Sequence, residues 1–277
     1  MNVRLERFAE IVARDHFDLA QACLAIAEDA YPGLDASACL AALDAMAASV
    51  RGRLPADAFP EQKLAALNHH LFGELGFSGN TDAYYDVRNS YLNEVLARRT
   101  GIPITLSIVY LEVGRRLGLG LQGVSFPGHF LVSLRLRRGA LVLDPFSGGE
   151  PKLEEELRAL LGRALSEETA RHADLANYLA PATPREILAR VLRNLKTIYR
   201  QAGQLERALD VMNRMLLVVP EAAEELRDRG LVYAALECYR PALADVQNYL
   251  RRRPDAPDAA ELRAKAAELS AAVARLN

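Results

Sequence analysis

The sequence predicts an α+β protein: a mostly helical N-terminal domain carrying one small antiparallel sheet, followed by an all-helical repeat domain. Two observations predict it. Apolar residues recur at helical spacing along most of the 277 residues, yet between Leu121 and Leu143 the pattern changes to alternating and β-branched runs. The last third also matches itself at a shift of 34 residues.

Composition sets the outer bounds. With 51% hydrophobic and 25% charged residues, the chain buries a substantial core in two soluble domains. A net charge of −2 with acids and bases interspersed offers no basic face for a row of phosphates, so nucleic acid is not expected as a partner. Residues 1–8 mix acid and base and lack the apolar core of a signal peptide. No apolar run reaches the roughly 18 residues of a membrane span. The three cysteines, Cys23, Cys39 and Cys238, lie far apart in helical apolar patterns, which argues against a disulfide framework and for a cytoplasmic location.

Residues 1–75 read as helices. Leu19, Cys23, Ile26 and Ala27 form one apolar stripe, Tyr31-Pro32-Gly33 stops it, and Asp35 caps a helix bearing Leu40, Leu43, Met46 and Val50. Cys23 and Cys39 fall on these faces as small core hydrophobes. A further helix opens at Pro60 and carries His69 and His70, which point about 100° apart and cannot chelate one metal. No metal or cofactor is expected. Tyr84, Tyr85, Asn89 and Asn93 then concentrate hydroxyl, aromatic and amide groups where another helix starts, and the spacing of Asn89 and Asn93 predicts one shared face. Two amides there serve either as caps or as purposeful buried hydrogen bonds.

Pro103 opens a helix with the stripe Leu106, Val109, Tyr110, Val113 and Leu117, ended by Gly118 and Gly120. Three strands follow, over 121–126, 130–136 and 140–143, with Arg137-Arg138-Gly139 as the turn between the last two. His129 begins one strand and Asp144 ends its hairpin partner, so correct register brings them close. Helices resume at Lys152.

In the repeat, the 34-residue shift pairs Leu192 with Leu226, Tyr199 with Tyr233, Ala208 with Ala242, Leu209 with Leu243 and Pro220 with Pro254. This resembles the tetratricopeptide pattern of two antiparallel helices packed through a small residue and closed by a proline. The expected domains are residues 1–165, connecting helices over 166–188, and 189–277 with repeats at about 189–222 and 223–256 plus a polar capping helix. Tyr239, Arg240 and Arg251-Arg252-Arg253 are either a binding face or a solvated one.

Taken in order, Asn89-Ser90-Tyr91-Leu92-Asn93-Glu94, Gly101-Ile102-Pro103-Ile104-Thr105-Leu106, Pro127-Gly128-His129-Phe130-Leu131 and Leu143-Asp144-Pro145-Phe146, followed by the repeats, resemble the SirB-type branch of the transglutaminase-like superfamily. That resemblance implies a papain-like layout: a cysteine at a helix N-terminus, where the dipole and a nearby imidazole favour the thiolate, then His129 and Asp144 as base and orienting carboxylate. Aligning helix ends places Pro103 where the cysteine would stand, and no cysteine lies within sixty residues of it. Three functions remain open. The first is a binding or regulatory protein using the repeats for a protein or peptide and the inherited cleft, lined by Tyr84, Tyr85, Asn89, Asn93, Thr105 and His129, for a small ligand. The second is a hydrolase or acyl-transfer enzyme in which His129 and Asp144 activate Thr105, Ser107 or water. The third is a scaffold. The sequence leaves the oligomeric state open.

Overall fold

A computed structural model describes residues 3–136 and 139–276, which form two compact units, Met1–Val191 and Leu192–Asn277. The fold is α+β. The first unit begins with helices α1 (Val3–Val12), α2 (Leu19–Ala27), α3 (Ala36–Arg51) and α4 (Pro60–Asn68). Asp18 and Asp35 cap α2 and α3 by accepting the N–H groups of Gln21 and Ala38, each at 2.9 Å. A wider helical turn over His69–Glu74 follows α4. It lets both histidines reach one carboxylate, with His70 Nδ1 2.6 Å and His69 Nε2 3.4 Å from Glu74.

Next come a two-residue strand β1 (Ser78–Gly79), a 3-10 turn over Val87–Ser90, helix α5 (Leu92–Arg98) and strand β2 (Thr100–Gly101), which pairs in parallel with β1. Helix α6 (Pro103–Arg116) has proline at its first turn. Every residue from Pro103 to Tyr110 is buried, so the expected single stripe is too narrow. The helix is apolar nearly all round because it is central, touching α2, α3, α4, α5 and both sheets.

The main sheet has the order β3 (Leu121–Val124), β4 (Leu131–Leu136), β5 (Gly139–Asp144), β6 (Glu150–Pro151), antiparallel throughout. Pairing runs from Val132 opposite Leu143 to Leu136 opposite Gly139. Arg137 and Arg138 of the expected turn lie outside the described residues. The inner face of β3 and β4, with Val124, Phe126 and Leu131, packs on α7 (Glu154–Ala164) through Leu157 and Leu161. Helix α8 (Glu167–His172) and a 3-10 turn over Leu175–Tyr178 lead to α9 (Pro184–Gln201), which crosses the division between the units.

In the second unit, α10 (Leu205–Val218) and α12 (Tyr239–Arg252) begin and end 34 residues apart, and α11 (Ala223–Ala235) ends 34 residues after α9. Helices α11 and α12 touch through Gly230, where an added Cβ would come within 3.0 Å of Val246 and 3.2 Å of the Ala242 carbonyl. Their core, with Leu226, Ala242, Val246 and Tyr249, is closed by Leu262 and Leu269 of α13 (Ala259–Arg275). Cys23 is buried, but Cys39 is half-exposed and Cys238 is exposed, standing at the cap before α12, so the expected apolar placement of all three holds only in part.

Candidate functional site

His129 is placed by its own turn. Phe126-Pro127-Gly128-His129 has proline second and a glycine third at φ +68°, and the His129 N–H closes the turn on the Phe126 carbonyl at 3.1 Å. A side chain at Gly128 would press on Ala164 of α7 at 3.0 Å. Asp144 sits where β5 gives way to a 3-10 turn over Pro145–Ser147, and it caps that turn by accepting the Phe146 N–H at 3.0 Å. Gly149 N–H returns to the Asp144 carbonyl at 2.8 Å, and Asn68 holds the Gly149 carbonyl at 3.0 Å while accepting from the Tyr110 hydroxyl at 2.5 Å. Sheet, turn and central helix thereby fix the carboxylate from three sides.

The two meet: His129 Nε2 lies 3.0 Å from Asp144 Oδ1. Ser147 Oγ donates to Asp144 Oδ2 at 3.0 Å, and Lys152 Nζ stands 3.9 Å from it. Burial alone would raise the Asp144 pKa, but hydrogen bonds from His129, Ser147 and the Phe146 amide outweigh it and hold the carboxyl below its usual range. Ionised Asp144 therefore takes the proton on Nε2 and presents Nδ1 as the ring's remaining nitrogen. Among the described residues Nδ1 has no hydrogen-bond partner. Phe146 meets the imidazole edge-on at 5.9 Å between ring centres and meets Tyr84 at 6.4 Å, with Tyr85 beyond at 5.3 Å from Tyr84. Gly79 is bare because its Cβ would strike the Phe146 ring at 2.5 Å.

A cavity of ≈ 570 Å³ opens beside the pair, walled by the 127–129 turn, Phe146, Ser147 and one face of α7. Tyr84, Tyr85, Asn89, Asn93 and Thr105 are not in its lining. Tyr84 and Tyr85 reach it only through the ring contact with Phe146.

Asn89 and Asn93 do not share a helix face. Asn89 lies within the 3-10 turn over Val87–Ser90, Tyr91 is extended at φ −101°, ψ 123°, and only then does α5 begin. Buried Asn89 donates to the carbonyls of Ala83 (2.7 Å) and Tyr84 (3.2 Å) and accepts from Asn80 (3.1 Å) and Arg98 (3.4 Å), so its amide ties down the 80–86 loop. Among the described residues, Asn93 Oδ1 is enclosed without a hydrogen-bond partner.

The first turn of α6 is equally committed. Thr105 Oγ1 accepts the Ile102 N–H at 3.1 Å and lies 2.7 Å from the Asn89 carbonyl. Gly101 makes room for it, since a Cβ there would fall 2.8 Å from that oxygen. Ser107 is fully buried and its hydroxyl makes no hydrogen bond among the described residues. The buried Cys23 thiol is pushed far up by desolvation, with Glu112 and Asp18 adding to the effect, which is the reverse of what a nucleophile needs. Among the described residues no cluster of three or more metal-binding side chains occurs, and no helix is long and apolar enough to cross a membrane. Sequence reasoning passed over Phe146, Ser147, Lys152 and Arg163. Phe146 lay inside a quoted motif, whereas the face of α7 gave no signal because it reads as ordinary surface.

A central helix, a sheet bearing an adjacent histidine and aspartate, and helical pairs repeating every 34 residues define a transglutaminase-like domain joined to tetratricopeptide repeats. Models of the transglutaminase-like superfamily and of the tetratricopeptide repeat match residues 37–193 and 195–267. The chain belongs to the transglutaminase-like superfamily, in its SirB-type branch. It is 44% identical over 252 residues to a UPF0162 protein of Xylella fastidiosa (strain Temecula1), covering 91% of this chain and 90% of that one. It is also 34% identical to a UPF0162 protein of Vibrio cholerae (72% and 73% covered) and 32% identical to protein SirB1 of Salmonella typhimurium (74% of each).

Proposed function

We propose that this protein acts by binding rather than by thiol chemistry: its repeats take a protein or peptide partner, and the cavity beside His129 holds a ligand instead of an acyl-enzyme. One observation carries the reading. The helix end that would present a nucleophile starts with buried Pro103, which has neither a reactive atom nor an N–H, and the nearest hydroxyl, Thr105, is spent on capping and on the Asn89 carbonyl. The repeat match supports a protein partner, since stacked helical pairs present extended surfaces.

The test is exposure of the full chain to thiol-directed and hydroxyl-directed electrophiles, with adducts mapped by mass spectrometry. Modification is expected at exposed Cys238 and, more slowly, at half-exposed Cys39, whose thiol is pushed up by burial and by Asp35. An adduct on Thr105 or Ser107 that disappears in His129→Ala would overturn the reading and install the hydrolytic one.

A further inference from the structure

We infer that the cavity beside His129 recognises the carboxylate of a peptide, held by the guanidinium of Arg163, which lines the same cavity as the imidazole. The inference rests on the reading of this cavity as a binding site and adds the chemistry of its ligand.

The charged groups on the wall are Asp144, Lys152, Glu156 and Arg163, together with His129. Asp144 is used by His129, Ser147 and the Phe146 amide. Glu156 folds back to cap its own helix, accepting the Leu153 N–H at 2.9 Å and standing 3.4 Å from Lys152. Lys152 lies between these two carboxylates, 3.4 and 3.9 Å away, so its charge is already answered. What remains unspent on this wall, among the described residues, is Arg163, exposed and without an ion pair or hydrogen bond, and the acceptor lone pair on Nδ1 of His129, which leaves the anion to the guanidinium. Glu156, Ala159, Leu160 and Arg163 recur at three- and four-residue spacing and so share the face of α7 that lines the cavity. Cavity walls that have consumed their own carboxylates and kept a free guanidinium select an anion. A planar fork of N–H donors suits a carboxylate in particular.

The rest of the surroundings point to a peptide rather than a small inorganic anion. Phe146 and Leu160 give the cavity an apolar wall. Leu153, next to Lys152, and Leu165, next to Ala164, are 69% and 51% exposed, and Tyr85 at the outer end of the ring series from Phe146 is 69% exposed. Exposed apolar side chains flanking a polar cavity offer packing area to the residues beside a recognised carboxylate.

The experiment follows the His129 ring resonances by NMR in the full-length protein during titration with three probes: acetyl-glycyl-glycine, the same peptide with its C-terminus amidated, and acetyl-glutamyl-glycinamide. The two carboxylate probes are expected to shift the His129 signals, and their ranking tells a chain terminus from a glutamate side chain. Arg163→Gln should weaken the better one by about tenfold or more, and Arg163→Lys should weaken it less, because charge survives while the fork is lost. Arg163 is exposed and makes no hydrogen bond or ion pair among the described residues, so neither variant threatens the fold. Equal binding of the amidated probe, unchanged affinity in Arg163→Gln, or no shift with either carboxylate probe at millimolar concentration would overturn the inference. Cleavage of a probe during the titration would instead overturn the binding-only reading, so the two failures are distinct.

Discussion

The first turn of α6 and the corner holding His129 and Asp144 are both buried and polar, yet their polar groups are spent differently. At α6, Thr105 answers the Ile102 amide and the Asn89 carbonyl, and Asn89 in turn meets four partners of its own. The hydroxyl left over there among the described residues, that of Ser107, is fully buried and so closed to a ligand. At the corner the carboxylate is equally satisfied, but the imidazole it orients keeps one nitrogen unpaired beside an open cavity. Saturated polar clusters hold a fold together, whereas an unspent group on a cavity wall is available to a ligand.

The largest effect that could break this contrast is at Asp144. Asp144→Ala strands the His129, Ser147 and Phe146 donors inside the protein, and should cost about 3 kcal/mol in urea unfolding. Asp144→Asn keeps an acceptor and should cost clearly less. A near-neutral Asp144→Ala would mean the corner is not held by its carboxylate. At the other end, Thr105→Val keeps the shape and removes the hydroxyl, which should cost about 1–2 kcal/mol. It should leave the chemical shifts of the His129 ring unchanged, because the threonine serves the helix and the 80–86 loop. A shifted His129 resonance would join the two regions that the contrast separates.

The reason some of this was legible in the sequence is that it depends on local rules. The Pro127-Gly128 turn, the hairpin alternation and the 34-residue repeat are each written in residues near one another. What escaped depends on distant partners. Asn89 and Asn93 sit at helical spacing, but a single extended residue, Tyr91, takes them off a common face. The single stripe expected of helix α6 is too narrow, because residues 102–113 are apolar nearly all round, a pattern that belongs to a helix enclosed by other elements. The wall of α7 could not be read at all, since Arg163 is distinguished from other surface arginines only by what three-dimensional packing leaves beside it.

The smallest effect tests the electrostatic half of the contrast. The Asp144 carboxyl is held below its ordinary range in the folded protein, so the folded state binds its proton less readily than the unfolded chain does. Its contribution is therefore fully present above the unfolded carboxylate pKa of about 3.9 and is lost as pH falls through the lower folded value. The stability gap between the wild type and Asp144→Asn should stay level from neutral pH down to about pH 4 and narrow below it, with other carboxylates cancelling because they titrate in both proteins. A gap that already narrows between pH 7 and 5 would show that the stabilisation is lost before Asp144 takes up its proton, and the carboxylate would then not be what holds the corner.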